Sequence, residues 1–157
     1  MKFLLSAIIL LLLVTSCSHT YYIVRHAEKA QVAGDPPLSE AGKQRAEKLK
    51  EILKGKKIKY IFSTNTIRTL STAKPLSDAI GIKTVIYDPR KDSVLIAQLK
   101  TLKKNVLIVG HSNTIDDIVN KLCNAKKIPA DIDDAVYDNL FIVTYHGKKI
   151  NFKQEKY

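Results

Sequence analysis

Two histidines and two arginines carry most of the chemistry this sequence could do, and each stands just past a predicted strand. Arg25-His26 follows a β-branched and aromatic run at 21–24, and Ser63-Thr64-Asn65 with Arg68 follows another at 58–62. Tyr87-Asp88 closes a third at 83–87, and His111-Ser112-Asn113 follows the wholly apolar run 106–109 across Gly110. Imidazole is half-protonated near pH 6.5, so at neutral pH it can be a nucleophile, a base or an acid. A guanidinium stays charged and offers a planar fork that matches the oxygens of a phosphate or carboxylate. Together these side chains suit an anionic, phosphorylated ligand. The competing structural readings are a strand cap for Arg25-His26, a turn histidine for His111 and a solvated helix charge for Arg68.

The elements that must position these groups are legible from periodicity and punctuation. Asp35-Pro36-Pro37 marks a loop, Ser39 stands at an N-cap position, and Ala46, Leu49, Ile52 and Leu53 recur at helical spacing before Gly55. A second helix is expected over 66–80, closed by Gly81, with Pro75 inside it where it should kink or split the element. A polar loop at 88–92 leads to a helix at 93–102. Ile115, Ile118, Val119 and Leu122 make one apolar helical face. The runs 140–145 and 150–152, separated by His146-Gly147, read as a hairpin. Strands alternating with helices indicate an α/β fold, a three-layer α/β/α sandwich with a mainly parallel central sheet and a C-terminal antiparallel hairpin. In such sheets ligands gather at the carboxyl ends of the strands, so four polar clusters are expected on one rim.

Four blocks occur in order: Arg25-His26-Ala27-Glu28, Asp35-Pro36-Pro37-Leu38-Ser39-Glu40-Ala41-Gly42, Arg68-Thr69-Leu70-Ser71-Thr72-Ala73, and Val109-Gly110-His111-Ser112-Asn113. Their order and spacing, from Tyr22 to about Leu122, resemble the histidine phosphatase superfamily, whose fold is phosphoglycerate mutase-like. The resemblance implies a covalent phosphohistidine intermediate on His26, with Arg25 and Arg68 as phosphate clamps and His111 as the second pocket histidine. Asn113 is a further substrate contact on this reading. Imidazole can split one displacement into two if its attacking nitrogen is unprotonated, and neighbouring guanidinium groups favour that form. The cluster stabilises a transferring phosphoryl group without a metal, so no cofactor is expected.

The general acid is less defined. Mutase-like relatives carry a Glu after the third strand, where this chain has Asp88 and Asp92; another branch places Asp directly after the second histidine, where this chain has Ser112. Asp88 ranks first as acid and Glu28, two residues past His26, is a further candidate. The short chain lacks the insertions that build lids in larger relatives, which points to a compact phosphohistidine-phosphatase-like phosphomonoester hydrolase. A degenerate nucleophile elbow at Gly110-His111-Ser112-Asn113-Thr114, with Ser112 attacking, wants Gly where Thr114 stands.

Residues 1–16 read as a secretory signal: Lys2, then an apolar stretch to Val14, too short for a spanning helix of about 20 residues. Val14-Thr15-Ser16-Cys17 resembles a bacterial lipoprotein signal, in which Cys17 becomes the lipidated first residue. The expected organisation is signal 1–16, anchor and tether 17–20, and catalytic domain 21–157. That places the protein in a bacterial cell envelope, lipid-anchored on the extracytoplasmic side. Of the two cysteines only Cys123 then remains, and no intramolecular disulfide is available.

The chain of 157 residues has 26 Lys and Arg against 15 Asp and Glu, a formal charge of +11. Its 45% hydrophobic content excludes a disordered basic tail, and its length excludes a two-domain enzyme. The basic balance favours a phosphorylated small molecule, a phosphoprotein or an anionic membrane surface. Nucleic acid is not expected, because the lysine-rich stretches 54–59 and 148–149 carry no interleaved aromatic platform. His19 and His146 receive no role. The alternative to an enzyme is a membrane-tethered module that binds phosphorylated or anionic ligands without turnover.

Overall fold

Successive residues of a strand face opposite sides of a sheet, and the two central strands use that period to feed two separate cores. Tyr21 and Ile23 of β1 (Ser18–Arg25) lie in one buried cluster with Ile108 of β4 (Val106–Gly110). Tyr22 and Val24 lie in the other, with Leu107 and Val109. The computed structural model describes residues 18–157; the expected signal 1–16 and Cys17 lie outside the described residues.

The sheet has six strands in the order β3-β2-β4-β1-β5-β6. β1, β2 (Tyr60–Ser63), β3 (Thr84–Ile86) and β4 are parallel, whereas β5 (Asn139–His146) and β6 (Lys149–Lys156) run antiparallel at one side. Helices α1 (Glu40–Leu53) and α2 (Ile67–Ile80) cover one face through Leu49, Leu53 and Leu76. Helices α3 (Asp92–Leu102) and α4 (Ile115–Cys123) cover the other through Leu95, Leu99, Ile115 and Leu122. This is the phosphoglycerate mutase-like α/β/α sandwich, with crossover helices closing both faces of the parallel part.

Local chemistry sets the ends of these elements. The Ser39 hydroxyl accepts from the Gly42 amide at the start of α1, and Thr66 does the same for Thr69 at the start of α2. Gly81, at φ +68°, takes the left-handed conformation that closes α2. Gly147, at φ +60°, occupies the first central position of the β5–β6 turn, where a two-residue hairpin needs such a residue.

Three expectations change. Residues 18–20 are not a tether: Ser18, His19 and Thr20 pair with His146, Tyr145 and Thr144 of β5. His19 is only 7% exposed and stacks on Tyr145 at 5.0 Å, so cross-strand partners supply the burial that a Ser-His-Thr sequence does not advertise. α2 runs unbroken through Pro75, held on its N-terminal side by the Thr72 hydrogen bond to the Arg68 carbonyl and by buried Ala73, and on its C-terminal side by buried Leu76. β6 extends over eight polar-rich residues because all of them pair with β5.

One close approach joins α1 to the segment after β1. Ser39 donates from its backbone to the Glu28 carbonyl at 2.9 Å, and a Cβ added at Gly42 would stand 2.1 Å from that same oxygen. Gly42→Ala should therefore cost about 1–3 kcal/mol through displacement of the Glu28 backbone. The cap variant Ser39→Ala should cost about 1 kcal/mol. Urea titration should show a lowered midpoint at unchanged slope for both, the larger drop belonging to Gly42→Ala.

Candidate active site

β1 and β4 pair in parallel with Arg25 opposite Gly110, so the next residue of each strand, His26 and His111, emerges at the same rim. The His26 amide donates to the Gly110 carbonyl at 2.9 Å, and the two imidazole rings stand 5.6 Å apart at 67°. His26 Nδ1 lies 2.8 Å from the Ala27 carbonyl. A carbonyl can only accept, so Nδ1 carries the proton and the neutral ring keeps its lone pair on Nε2. Ala27 is itself tied down, its amide donating to Thr72 Oγ1 of α2 at 2.9 Å.

His111 is oriented in the opposite sense. Its Nδ1 faces Arg68 Nη2 at 3.4 Å, and since arginine only donates, Nδ1 is the acceptor. Nε2–H then donates to Thr64 Oγ1 at 2.9 Å, and Thr64 passes a hydrogen bond to Thr69 Oγ1, which donates to the Thr64 carbonyl. A relay of buried hydroxyls from the end of β2 into the first turn of α2 thus holds the second imidazole. Arg68 is held in turn by Asp35, whose carboxylate accepts from Arg68 Nη1 at 3.0 Å and from the Ile67 amide at 2.8 Å. That second contact places an acidic group at the positive end of α2.

Arg25 is 4% exposed, and its guanidinium is sandwiched between the segment before β5 and an aromatic ring. Nη1 donates to the carbonyls of Asp133 and Val136, Nη2 donates to Asp134 at 2.9 Å, and Cζ sits 4.2 Å over the Tyr137 ring. Its Nε–H is buried without an acceptor among the described residues.

These groups share a cleft of about 600 Å³ whose wall includes Arg25, His26, Arg68, His111, Ser112 and Asn113. Lys29 and Arg90 add positive charge and Asp131 and Asp134 add negative charge, leaving cations in excess. Burial, opposed by the Ala27 hydrogen bond and aided by the charges of Arg25 and Arg68, lowers the pKa of His26 to about 4. Burial, then Arg68 and Arg25, bring His111 to about 4 as well, with Asp35 opposing. Both rings are neutral at physiological pH.

The structure brings together His26, Arg25, Arg68, His111 and Asn113 of the sequence expectation, but not its acids. Glu28 turns away and is gripped by Arg45 at 2.6 Å; burial alone would raise its pKa, yet the Arg45 hydrogen bonds hold it below the usual carboxylate range. Asp88 caps the short 3-10 turn Pro89–Lys91, where hydrogen bonds from the Arg90 side chain and amide lower its pKa. Asp92 pairs with Lys121 of α4. A donor of protons needs a raised pKa, and none of the three has one. Ser112 does not meet an imidazole base: its hydroxyl donates to Asp134 at 3.1 Å, which removes the serine-nucleophile reading.

Sequence reasoning placed Asp35 in a motif block and Thr64 in a rim cluster without giving either a role, and missed Asp134 and Tyr137. The acidic run Asp131-Ile132-Asp133-Asp134 was the available signal for Asp134. Tyr137 carries no motif of its own and is brought to Arg25 by the fold. Among the described residues no group of three or more His, Cys, Asp or Glu is placed to hold a metal ion, and no helix is long and apolar enough to cross a membrane.

Residues 21–92 match the sequence family described as the histidine phosphatase superfamily (branch 1). Over that stretch, somewhat under half of its length, the chain is similar to the histidine phosphatase superfamily. The matched stretch contains Arg25, His26 and Arg68 and ends before His111, which the fold returns to the same rim. A probable phosphoglycerate mutase GpmB of Yersinia pestis is 36% identical over 76 residues, 44% of this chain and 35% of the relative. The match therefore spans about a third of the length of that relative. Among solved structures, the protein histidine phosphatase SixA complexed with tungstate has a TM-score of 0.70 at 20% identity, covering 87% of this chain and 96% of that one. A putative alpha-ribazole-5'-P phosphatase from Escherichia coli reaches 0.71 at 12% identity, covering 88% and 96%. The shared fold runs through the whole sandwich.

The two buried histidines set a pH dependence. Their folded pKa values lie below the unfolded value of about 6.5, so between about pH 6.5 and 4 the unfolded chain binds protons that the folded chain refuses. Stability should fall as pH drops through that window and, as far as these groups contribute, stay level above it. Urea titrations from pH 7.5 to 4 should show the decline, and His26→Gln with His111→Gln should flatten it.

Proposed function

We propose that the chain is a phosphatase that transfers a phosphoryl group to Nε2 of His26 and then to water. The observation that supports it best is a buried neutral imidazole, with its proton committed to the Ala27 carbonyl, standing in one cleft with two guanidinium groups. The Nε2 lone pair attacks phosphorus while the bond from phosphorus to the leaving group breaks. Water then cleaves the resulting N–P bond, releasing inorganic phosphate and restoring the neutral ring. Arg25 and Arg68 offset the charge on the equatorial oxygens, and the unpartnered Arg25 Nε–H is a free donor for one of them. His111, with Nδ1 turned towards Arg68, holds that guanidinium in place, and Asn113 adds a neutral contact.

A tetrahedral oxyanion is the ligand class this cleft suits, and the solved protein histidine phosphatase SixA is complexed with tungstate, an oxyanion of that kind. The leaving group follows from the carboxylates. With Glu28 and Asp88 committed to arginines, no protonated acid stands ready for an alkoxide, whose conjugate acid has a pKa approaching that of water, about 15.7. The imidazole of phosphohistidine and the phenolate of an aryl phosphate depart without such help, so a phosphohistidine-bearing protein or another phosphoramidate fits better as substrate than a sugar or glycerate ester. The chain is further proposed to reside in a bacterial cell envelope through a lipid on Cys17.

Three measurements test this. Turnover of p-nitrophenyl phosphate should be blocked by vanadate, spared by EDTA and reduced to background in His26→Ala. Folded protein that binds vanadate without turnover would instead be a binding module. Arg68→Lys keeps the charge but loses the fork, and should lower kcat/KM by on the order of tenfold to a hundredfold. Cys17→Ser should shift the protein from the membrane fraction to the soluble fraction.

A further inference from the structure

The charges of this domain are segregated along the strand axis. At the pole opposite the cleft lie the start of β1, the three loops that enter β2, β3 and β4, and the β5–β6 turn. Those segments carry nine lysines, four within 54–59, one at 83, two at 103–104 and two at 148–149, all exposed. They contain no Asp or Glu. Among the described residues only Lys54 of the nine is in an ion pair, with Glu51. The cleft pole is mixed: Asp35, Asp88, Asp131, Asp133, Asp134 and Asp138 stand in its loops, four of them in ion pairs with Arg68, Arg90, Arg25 and Lys156.

The lysine loops form one surface. Asn105 accepts from the Thr20 amide at 2.9 Å, donates to the Lys56 carbonyl at 2.7 Å and accepts at its own carbonyl from the Lys59 amide at 2.8 Å. Lys103 is close enough to His19 to lower its pKa, after burial has done most of that. Ser18 pairs with His146, which pairs with Lys149. Lys57 and Lys103 hold φ of 53° and 46°, where glycine or asparagine is cheaper. Like charges crowded within a Debye length of about 8 Å repel one another and weaken the fold unless a surface of opposite charge meets them.

We infer that this lysine pole docks flat on a bilayer surface rich in anionic headgroups and holds the catalytic cleft facing away from it. The position of Ser18 in the sheet argues for a membrane over other polyanions. Ser18 is already paired in the sheet at this pole, so an acylated Cys17, one residue earlier, leaves no slack between lipid and domain. The inference rests on the anchored reading above. At about 3.3 Å per residue, β1 carries the chain about 23 Å from Ser18 to Arg25. The substrate then arrives from the aqueous side, as a soluble or protein-borne phosphoryl group, and is not a headgroup of the membrane that carries the enzyme.

The test uses the full chain, processed and reconstituted into vesicles of phosphatidylcholine with or without phosphatidylglycerol. A thiol-directed fluorophore is placed at Lys148→Cys or, at the cleft end, Lys43→Cys, and quenched by a nitroxide-headgroup lipid; Cys123 is buried and does not compete. Position 148 should be quenched strongly only with phosphatidylglycerol, and position 43 in neither case. Each lysine at an anionic surface strengthens binding about five-fold, so the fourfold reversal Lys56→Glu, Lys57→Glu, Lys104→Glu and Lys83→Glu should shift the docked-to-undocked ratio at least a hundredfold. Turnover of p-nitrophenyl phosphate should be unchanged in that variant. Equal quenching at both positions, quenching indifferent to phosphatidylglycerol, or release of position 148 from the vesicle by double-stranded DNA would overturn the inference. Failure of the anchor itself is distinguishable, because an unacylated Cys17 would leave the chain soluble and take up label.

Discussion

The parallel register of β1 against β4 is the constraint on which the site depends. Because Arg25 lies opposite Gly110, the chain leaves both strands at the same height, and His26 and His111 meet although 85 residues separate them. The backbone bond from His26 to the Gly110 carbonyl continues that ladder by one rung. A slip of one residue would send every side chain of β1 to the opposite face, exchanging the two apolar cores. The cores therefore enforce the catalytic geometry: Tyr21 and Ile23 on one side, Tyr22 and Val24 on the other, allow a single register. Gly110 belongs to the same constraint, since a Cβ there would stand 2.7 Å from the Tyr87 hydroxyl and 2.9 Å from Ile115.

Around that fixed pair, neutrality and charge are balanced by placement. Burial, aided by two guanidinium groups, keeps the imidazoles neutral, while Asp35 and Asp134 keep the guanidinium groups from standing uncompensated in a partly buried site. The threonines at the start of α2 do the orienting. Thr64 and Thr69 fix the His111 tautomer, and Thr72 fixes the Ala27 amide next to His26. One helix thus reaches both histidines, through hydroxyls on successive turns. The same sandwich separates this machinery from the lysine-bearing loops by the length of one strand, so cleft and basic pole can answer to different partners.

Much of the sandwich could be read from one-dimensional pattern. Apolar runs and helical periodicity located all six strands and four helices to within a few residues, because their cores are built from regular repeats. The exceptions are instructive. Ser18, His19 and Thr20 extend β1, and the polar residues of β6 form a full strand, only because β5 supplies partners; pairing energy belongs to two segments and is invisible in either. Pro75 breaks a local rule without breaking α2, since packing on both sides outweighs the lost hydrogen bond.

By itself the sequence determined which groups could attack or clamp a phosphate, because Arg25-His26, Arg68 and His111 occupy the ends of strands or the start of a helix in any α/β arrangement of those runs. It also determined the excess of basic charge and its concentration in a few short segments. Tertiary structure decided what those residue types become. It gave Glu28 to Arg45, brought Asp134 to Arg25 from 109 positions away, and set the His111 proton by an acceptor, Thr64, from a distant segment. It gathered the lysine segments at one pole and the aspartates at the other. Protonation state and charge distribution depend on distance in space and on burial, and neither quantity exists until the chain has folded.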